Sequence, residues 1–86
     1  MQVLLYYKYV AIKEPEWLAE LVHQKCEKLS LLGRIIVAAE GINGTVEGTV
    51  ESTESFATWL VSLSEFSDMK IKRSESDGAA FTRLSV

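Results

Sequence analysis

The chain has 86 residues, a formal net charge of −3 at pH 7, and 48% apolar and 24% charged residues, which predicts one small folded domain rather than a disordered segment. It contains no apolar run near the roughly 20 residues of a membrane helix and no N-terminal signal segment, so we expect a cytoplasmic protein that does not contact the membrane. One cysteine and one histidine exclude an internal disulfide and a zinc site built by this chain alone. We therefore expect no metal and no cofactor. The nine basic residues are scattered, which argues against strong nucleic-acid binding by this domain alone.

The first third of the chain predicts a strand followed by an amphipathic helix. Residues 3–10 are rich in β-branched and aromatic side chains and are apolar at nearly every position except Lys8, which indicates a central strand covered on at least one face. Pro15 suits the first turn of a helix, and apolar residues at spacings of three and four continue to Leu29. We expect Gly33 to end this helix.

Three of the five glycines gather around the only asparagine, in residues 38–48. Asparagine and glycine reach positive φ at low cost, so this pattern predicts a shaped turn between two strands, residues 34–39 and 44–48. The main-chain N–H groups of such a turn could hold an anion or a carboxylate. The candidate functional loop therefore consists of Glu40, Gly41, Asn43, Gly44 and Thr45. The alternative is that the glycines only form the turn.

The second half of the chain predicts another helix and two more strands. Ser52 or Thr53 is the expected N-cap of the helix. Residues 69–73 alternate apolar and basic side chains, as a half-exposed strand near a sheet edge does, and residues 81–86 alternate again as a terminal strand. This order predicts an α+β fold, a ferredoxin-like βαββαβ sandwich with an extra C-terminal strand. Two helices would cover one face of the sheet, and the first and third strands would be central.

Side chains that could carry chemistry each have a structural alternative. His23 and Cys26 are three residues apart on the first helix, where a base and a nucleophile could meet. Cys26 falls in the apolar stripe, however, so we favour core packing for it. Glu40 and Glu47 would approach each other if the hairpin turned about its middle; solvated charges are the favoured interpretation.

The aromatic residues of the first strand could offer a stacking platform for bases, as some open sheets do. Alternation puts only Tyr7 and Tyr9 on one face. Packing of the tyrosines against a helix is the favoured interpretation. Trp17 and Trp59 are expected to close the core between helices and sheet, with Trp17 partly exposed toward a neighbouring domain.

A fold of this plan with an asparagine near a hairpin invites comparison with acylphosphatase, in which an arginine and an asparagine hold a phosphate. Residues 11–15, between the first strand and the first helix, contain neither a glycine-rich turn nor an arginine that could cradle an anion. Arg34 and Asn43 remain for a stand-alone acylphosphatase-like enzyme, which is one alternative function. A protein-interaction module that uses an edge strand is another.

Residues 4–10, 32–48 and 81–86 together resemble one family, the N-terminal domain of the UPF0176 rhodanese-like proteins, whose bacterial members are tRNA uridine hydroxylases. Residues 40–45, Glu-Gly-Ile-Asn-Gly-Thr, are the most specific part of the resemblance. It implies an acylphosphatase-like domain over residues 1–86 and a rhodanese domain after it in a longer chain. The family's reactive cysteine lies in a Cys-x-x-Gly-x-Arg loop, and Cys26 is followed by neither that glycine nor that arginine.

The resemblance therefore implies no catalytic residue in this chain. It implies a non-catalytic accessory domain that supports a sulfurtransferase-type or tRNA uridine-modifying site in the following domain. The expected partners are the rhodanese domain of the same chain and, through the full-length protein, tRNA.

Overall fold

The computed structural model describes all 86 residues and contains five strands and two α-helices. In chain order these are β1 (Gln2–Tyr9), α1 (Pro15–Lys28), β2 (Leu32–Ala38), β3 (Gly41–Gly48), α2 (Val50–Ser62), β4 (Ile71–Glu75) and β5 (Leu84–Ser85), with a 3₁₀ helix at Ser64–Phe66. The sheet order is β4-β1-β3-β2-β5. Only the β2–β5 pair is parallel. The predicted α+β, ferredoxin-like plan with central β1 and β3 and an extra terminal strand is confirmed.

Both helices pack on one face of the sheet and bury a core of 15 residues there. The core consists of alternate residues of the strands, which have a side-chain period of 2, and of the apolar stripes of the helices, which have a period of 3.6. Its fully buried members include Leu4, Tyr6, Ile35, Val46, Val22, Cys26, Phe56 and Leu60. Each large side chain of this set contributes about 1.5–3 kcal/mol by burial. Neither α-helix is both long and apolar enough to cross a membrane.

One boundary of each helix differs from the sequence prediction: the C-terminal end of α1 and the N-cap of α2. α1 ends because Ser30 adopts φ 56, and the N–H of Leu31 then donates to the carbonyl oxygen of Cys26 at 2.9 Å. This is a Schellman ending that satisfies the last carbonyls of the helix. The prediction that Gly33 ends the helix is wrong, because Gly33 lies inside β2.

The N-cap of α2 is Thr49, whose hydroxyl accepts a hydrogen bond from the N–H of Ser52 at 3.1 Å. The prediction of Ser52 or Thr53 is therefore wrong. The buried Thr53 uses its own hydroxyl to donate to the carbonyl oxygen of Thr49 at 2.9 Å. Thr53 therefore lies within the first turn of α2 and bonds to it there, and it is not the N-cap.

The β2–β3 hairpin turns at residues 39–40, because Ala38 pairs with Gly41. The prediction that the turn includes residues 41–43 is wrong, because β3 already begins at Gly41; the predicted strand over residues 44–48 is confirmed. Two of the glycines serve close packing between strands. A Cβ on Gly41, which has φ 152, would lie 2.1 Å from the carbonyl oxygen of Lys8, and a Cβ on Gly44 would lie 2.5 Å from the hydroxyl of Tyr6.

The two edge strands differ from the prediction: β4 begins later in the chain, and β5 is shorter. β4 begins two residues after Met69, because Met69 is buried and its N–H donates to the carbonyl oxygen of Phe66 at the end of the 3₁₀ helix. β5 keeps only two of the residues predicted over 81–86. Both strands lie at an edge, as the alternation of their side chains indicates.

Candidate functional site

The face of the sheet opposite the helices is open to solvent at its middle. Antiparallel pairing places Tyr7, Asn43 and Ile36 in one row across three strands. A second row contains Arg34, Thr45, Leu5 and Lys72. We call the side chains of these two rows, together with Tyr9, the outer face. No helix covers it, so it is a surface on which this domain could bind a partner.

Tyr7 and Tyr9 are the most exposed large hydrophobic side chains of the outer face, at 64% and 81%. Their rings lie edge to face with centroids 6.0 Å apart. The favoured prediction of core packing is thus right for Tyr6, which is buried against Phe56, and wrong for Tyr7 and Tyr9. The helices cover the Leu4 and Tyr6 side of β1, which leaves the other tyrosines on the open side.

Two grooves cross the outer face. The first, of about 430 Å³, lies between Tyr7 and Tyr9 of β1, Ile36 of β2 and Asn43 of β3, with Glu40 at its rim. These side chains give the groove aromatic and aliphatic walls and one amide. It can therefore hold a flat, polar-edged group.

The second groove, of about 450 Å³, lies between β2 and the segment that leads into β5. Arg34 and Arg83 line it together with the hydroxyl-bearing Thr82 and Ser85. Guanidinium and hydroxyl groups are the donors that bind phosphate oxygens most often. The two grooves lie on the same side of the sheet and are separated by β2.

Glu47 occupies an outer-face position of β3 but is only 2% exposed. Its carboxylate accepts hydrogen bonds from the hydroxyl of Ser76 and from the main-chain N–H groups of Ala80 at 3.0 Å and Phe81 at 3.3 Å. The connection from β4 to β5 therefore crosses the sheet over Glu47. The favoured prediction of a solvated charge is wrong for this residue.

Glu40 and Glu47 do not form an acid and base pair. Glu40 is exposed in the turn, whereas Glu47 pairs with Leu32 at the opposite end of the same hairpin. The two-residue turn at residues 39–40 is the reason, because it moves the centre of the hairpin away from Asn43.

The five residues of the candidate functional loop do not form one surface. Glu40 lies in the turn and is exposed, Asn43 and Thr45 face outward from β3, and Gly41 and Gly44 are buried. Only Asn43 and Thr45 belong to the outer face. The sequence analysis placed Gly41 and Asn43 in the turn, whereas the structure places both in β3.

The segment between β1 and α1 uses two of its N–H groups, those of Val10 and Ile12, to bind the β2–β3 turn. The N–H of Val10 donates to the carbonyl oxygen of Glu40 at 3.0 Å, and that of Ile12 donates to Ala39 at 2.9 Å. The segment also contains no arginine. Arg34, the arginine considered for an anion site, lies instead on β2 and pairs with Thr45.

Cys26 and His23 do not form a nucleophile and base pair. Cys26 is fully buried, and this burial raises the pKa of its thiol to about 12. A thiol in that state is not nucleophilic near neutral pH. His23 lies at the surface, 3.3 Å from the carboxylate of Glu27 one helical turn later. No group of three or more His, Cys, Asp and Glu side chains is arranged to hold a metal ion.

The helix side of the molecule carries ion pairs that fix β4. Arg73 donates through Nε to Glu54 at 2.6 Å, and the amide of Gln2 donates to the same carboxylate at 2.7 Å. The hydrogen bond from Arg73, followed by that from Gln2, lowers the pKa of Glu54. Lys8 and Asp68 form a second pair at 2.8 Å.

Trp17 and Trp59 differ in their surroundings. Trp59 is partly buried against Phe56, at 5.9 Å between ring centroids, and closes the core as predicted. Trp17 is 63% exposed on the first turn of α1, so its predicted role in the core is wrong and its predicted exposure is right.

The chain is similar to known proteins over its whole length. Residues 1–86 match the family model described as the UPF0176 acylphosphatase like domain. The tRNA uridine(34) hydroxylase of Bacillus velezensis is 52% identical over 85 residues and that of Listeria welshimeri 46%, each match covering 99% of this chain. The chain spans about a quarter of the length of these curated relatives, 26% and 27%.

Among solved structures, the crystal structure of acylphosphatase from Bacillus subtilis matches with a TM-score of 0.70 over 99% of this chain and 96% of that one. The sequence identity of 18% limits this likeness to the fold. The match of the family model to every residue carries the assignment: the chain belongs to the UPF0176 acylphosphatase-like domain family.

Proposed function

We propose that this domain is a non-catalytic accessory domain of a larger tRNA-modifying protein, in which a rhodanese domain follows it and carries the reactive site. In this arrangement the domain shapes the surroundings of that site and helps to hold the tRNA. The proposal separates two tasks: chemistry in the following domain and positioning in this one.

The observation that carries the proposal is the state of the segment between β1 and α1. Its N–H groups at Val10 and Ile12 are taken by the hairpin carbonyls, and it offers no arginine. An anion held by these two N–H groups would have to displace hydrogen bonds that keep β1 and the hairpin together. The acylphosphatase-like fold thus has a first loop without an arginine and with two of its N–H groups engaged, which disfavours the stand-alone enzyme.

Two further observations support the proposal. The only thiol is buried in the core with a raised pKa, so this chain offers no sulfur nucleophile. The relatives named tRNA uridine(34) hydroxylase match this chain over about a quarter of their length, which leaves three quarters of each relative for the reactive site.

The test uses the full-length protein that contains this domain. Deletion of residues 1–86 should abolish or strongly reduce hydroxylation at uridine 34, measured by mass spectrometry of tRNA nucleosides. Addition of the separate 86-residue chain should restore part of it. A melting curve of the shortened protein controls for its folding. Unchanged hydroxylation in a folded shortened protein would refute the accessory role.

A second measurement addresses the enzyme alternative directly. The 86-residue chain is incubated with an acyl phosphate, and we expect no hydrolysis above the uncatalysed rate. Hydrolysis that is lost in Asn43→Ala and Arg34→Ala would replace the accessory role with an acylphosphatase activity.

A further inference from the structure

We propose that the outer face binds a single-stranded stretch of tRNA, with two bases stacked on Tyr7 and Tyr9 and the phosphate backbone passing along Arg34 toward Arg83. This inference rests on the proposed function and gives the accessory domain a specific ligand class. It concerns a surface to which the resemblance assigned no residue.

The aromatic residues supply the first argument. Tyr7 and Tyr9 expose 64% and 81% of their surface on a central strand, where a small domain gains nothing from displaying two rings to water. The two rings meet edge to face, so each keeps a π-face free. Single-stranded RNA is recognised on open sheets by stacking of unpaired bases on such rings.

The position of Asn43 supplies the second argument. Asn43 is the direct cross-strand neighbour of Tyr7, and both line the groove of about 430 Å³. A carboxamide offers both donors and an acceptor. It can therefore pair with the edge of a base that is stacked on the neighbouring ring, and the edge of uracil carries acceptors beside a donor.

The charge distribution supplies the third argument and explains why the net charge of −3 does not oppose the proposal. The exposed outer-face positions of the strands include the basic Arg34 and Lys72 and no acidic residue, while the exposed carboxylate of Glu40 lines the aromatic groove from the β2–β3 turn. Glu47, the only carboxylate on that side of the strands, is buried under the connection to β5. Both helices pack on the opposite face of the sheet, although Glu16 at the start of α1 lines a groove together with Arg34 and Ser85.

The second groove gives the backbone a route. Arg83, Thr82 and Ser85 line it next to Arg34, so donors for phosphate oxygens begin where the aromatic groove ends. From β1 across β3 and β2 to β5 are three strand spacings, about 14 Å. A sheet of this kind accommodates two or three stacked bases.

The experiment measures binding of a uridine-containing anticodon stem–loop RNA to the full-length protein by fluorescence anisotropy. Tyr7→Ala and Tyr9→Ala should each weaken binding about tenfold, since stacking of one base contributes that much or more. Tyr7→Phe and Tyr9→Phe keep the ring and should bind within about twofold of the unchanged protein. Trp17→Ala is the matched control, because it removes an equally exposed ring from the helix side.

Salt dependence tests the backbone route separately. Arg34→Ala should reduce the slope of log affinity against log salt concentration by about 0.7, the amount expected for one phosphate contact with a single strand. Lys28→Ala, at the end of α1, should leave the slope unchanged.

The outcomes separate this inference from the proposed function. Unchanged RNA affinity in the tyrosine variants overturns the inference even if deletion of the domain abolishes hydroxylation. Lower thermal stability of the full-length protein with unchanged RNA affinity also overturns it, because the outer face would then be covered by another domain. Weaker RNA binding in the tyrosine variants supports it even if deletion of the domain leaves hydroxylation intact.

Discussion

The carboxylate of Glu47 accepts a hydrogen bond from the main-chain N–H of Ala80 at 3.0 Å, although the two residues are 33 positions apart in the chain. This contact ties the connection between the two edge strands to the central strand β3. Because the connection has no secondary structure of its own between residues 76 and 83, this buried carboxylate organises it.

Glu47→Ala should lower the free energy of unfolding by about 2–3 kcal/mol, because three donors lose a charged acceptor. Urea unfolding measures the loss, and faster hydrogen exchange at Ala80 and Phe81 locates it. Glu40→Ala, in the exposed turn, is the control and should change stability by less than about 0.5 kcal/mol. Equal effects of both substitutions would contradict the role assigned to Glu47.

Tyr6→Phe should stabilise the domain by about 1 kcal/mol. Tyr6 is 1% exposed, and its hydroxyl has no hydrogen-bond partner in the core. Burial also raises the pKa of this hydroxyl well above its ordinary value, which shows how poorly the site tolerates charge. Thermal unfolding checks the prediction against Tyr7→Phe, whose exposed hydroxyl should matter little. A lower melting temperature for Tyr6→Phe would count against it.

Gly41→Ala should destabilise the domain by about 2–4 kcal/mol, because the added methyl group would meet the carbonyl oxygen of Lys8 at 2.1 Å and the backbone has φ 152. Chemical denaturation measures the effect. Asn43→Ala, two residues later on the same strand but facing solvent, is the matched control and should stay within about 0.5 kcal/mol. A tolerated alanine at residue 41 would mean that β1 and β3 can separate there at low cost.

Stability should fall above pH 9 because of Cys26. Burial raises the pKa of its thiol from 9.0 to about 12, so the folded protein keeps the proton that the unfolded chain releases. The stability linked to this proton is fully present below pH 9 and is lost as the pH rises toward 12, by up to about 1.4 kcal/mol per pH unit. Urea unfolding of the unchanged protein and Cys26→Ala at pH 8, 9, 10 and 11 isolates the contribution, since Tyr6 is present in both. Parallel pH profiles would refute it.

The order of the elements could be predicted from the sequence because the strands and helices carry different apolar periods. The central position of β1 followed from its continuous apolar run, and the edge position of β4 from its basic residues. These signals depend only on the local sequence, so they can be recognised without knowledge of the tertiary contacts.

The turn of the hairpin could not be placed correctly because glycine occurs both in turns and where two strands approach closely. Gly41 and Gly44 allow the close approach of β1, which is a contact between residues far apart in the chain. The pattern around Asn43 favours a turn at that position just as strongly, so only the cross-strand register decides between the two.

The outer face could not be identified because both sides of β1 are apolar. Leu4 and Tyr6 alternate with Leu5 and Tyr7, and the period of 2 does not say which set the helices cover. The burial of Glu47 could not be predicted either, because it depends on the β4–β5 connection, which lies 29 residues or more later in the chain.

The pairing of β1 has a consequence for synthesis on the ribosome. Val3 pairs with Glu47 on one side and with Ser74 on the other, so the first strand of this domain acquires its last neighbour only when most of the domain has been translated. Until then one hydrogen-bonding edge of an apolar strand stays unpaired in the nascent chain and is open to pairing with other chains.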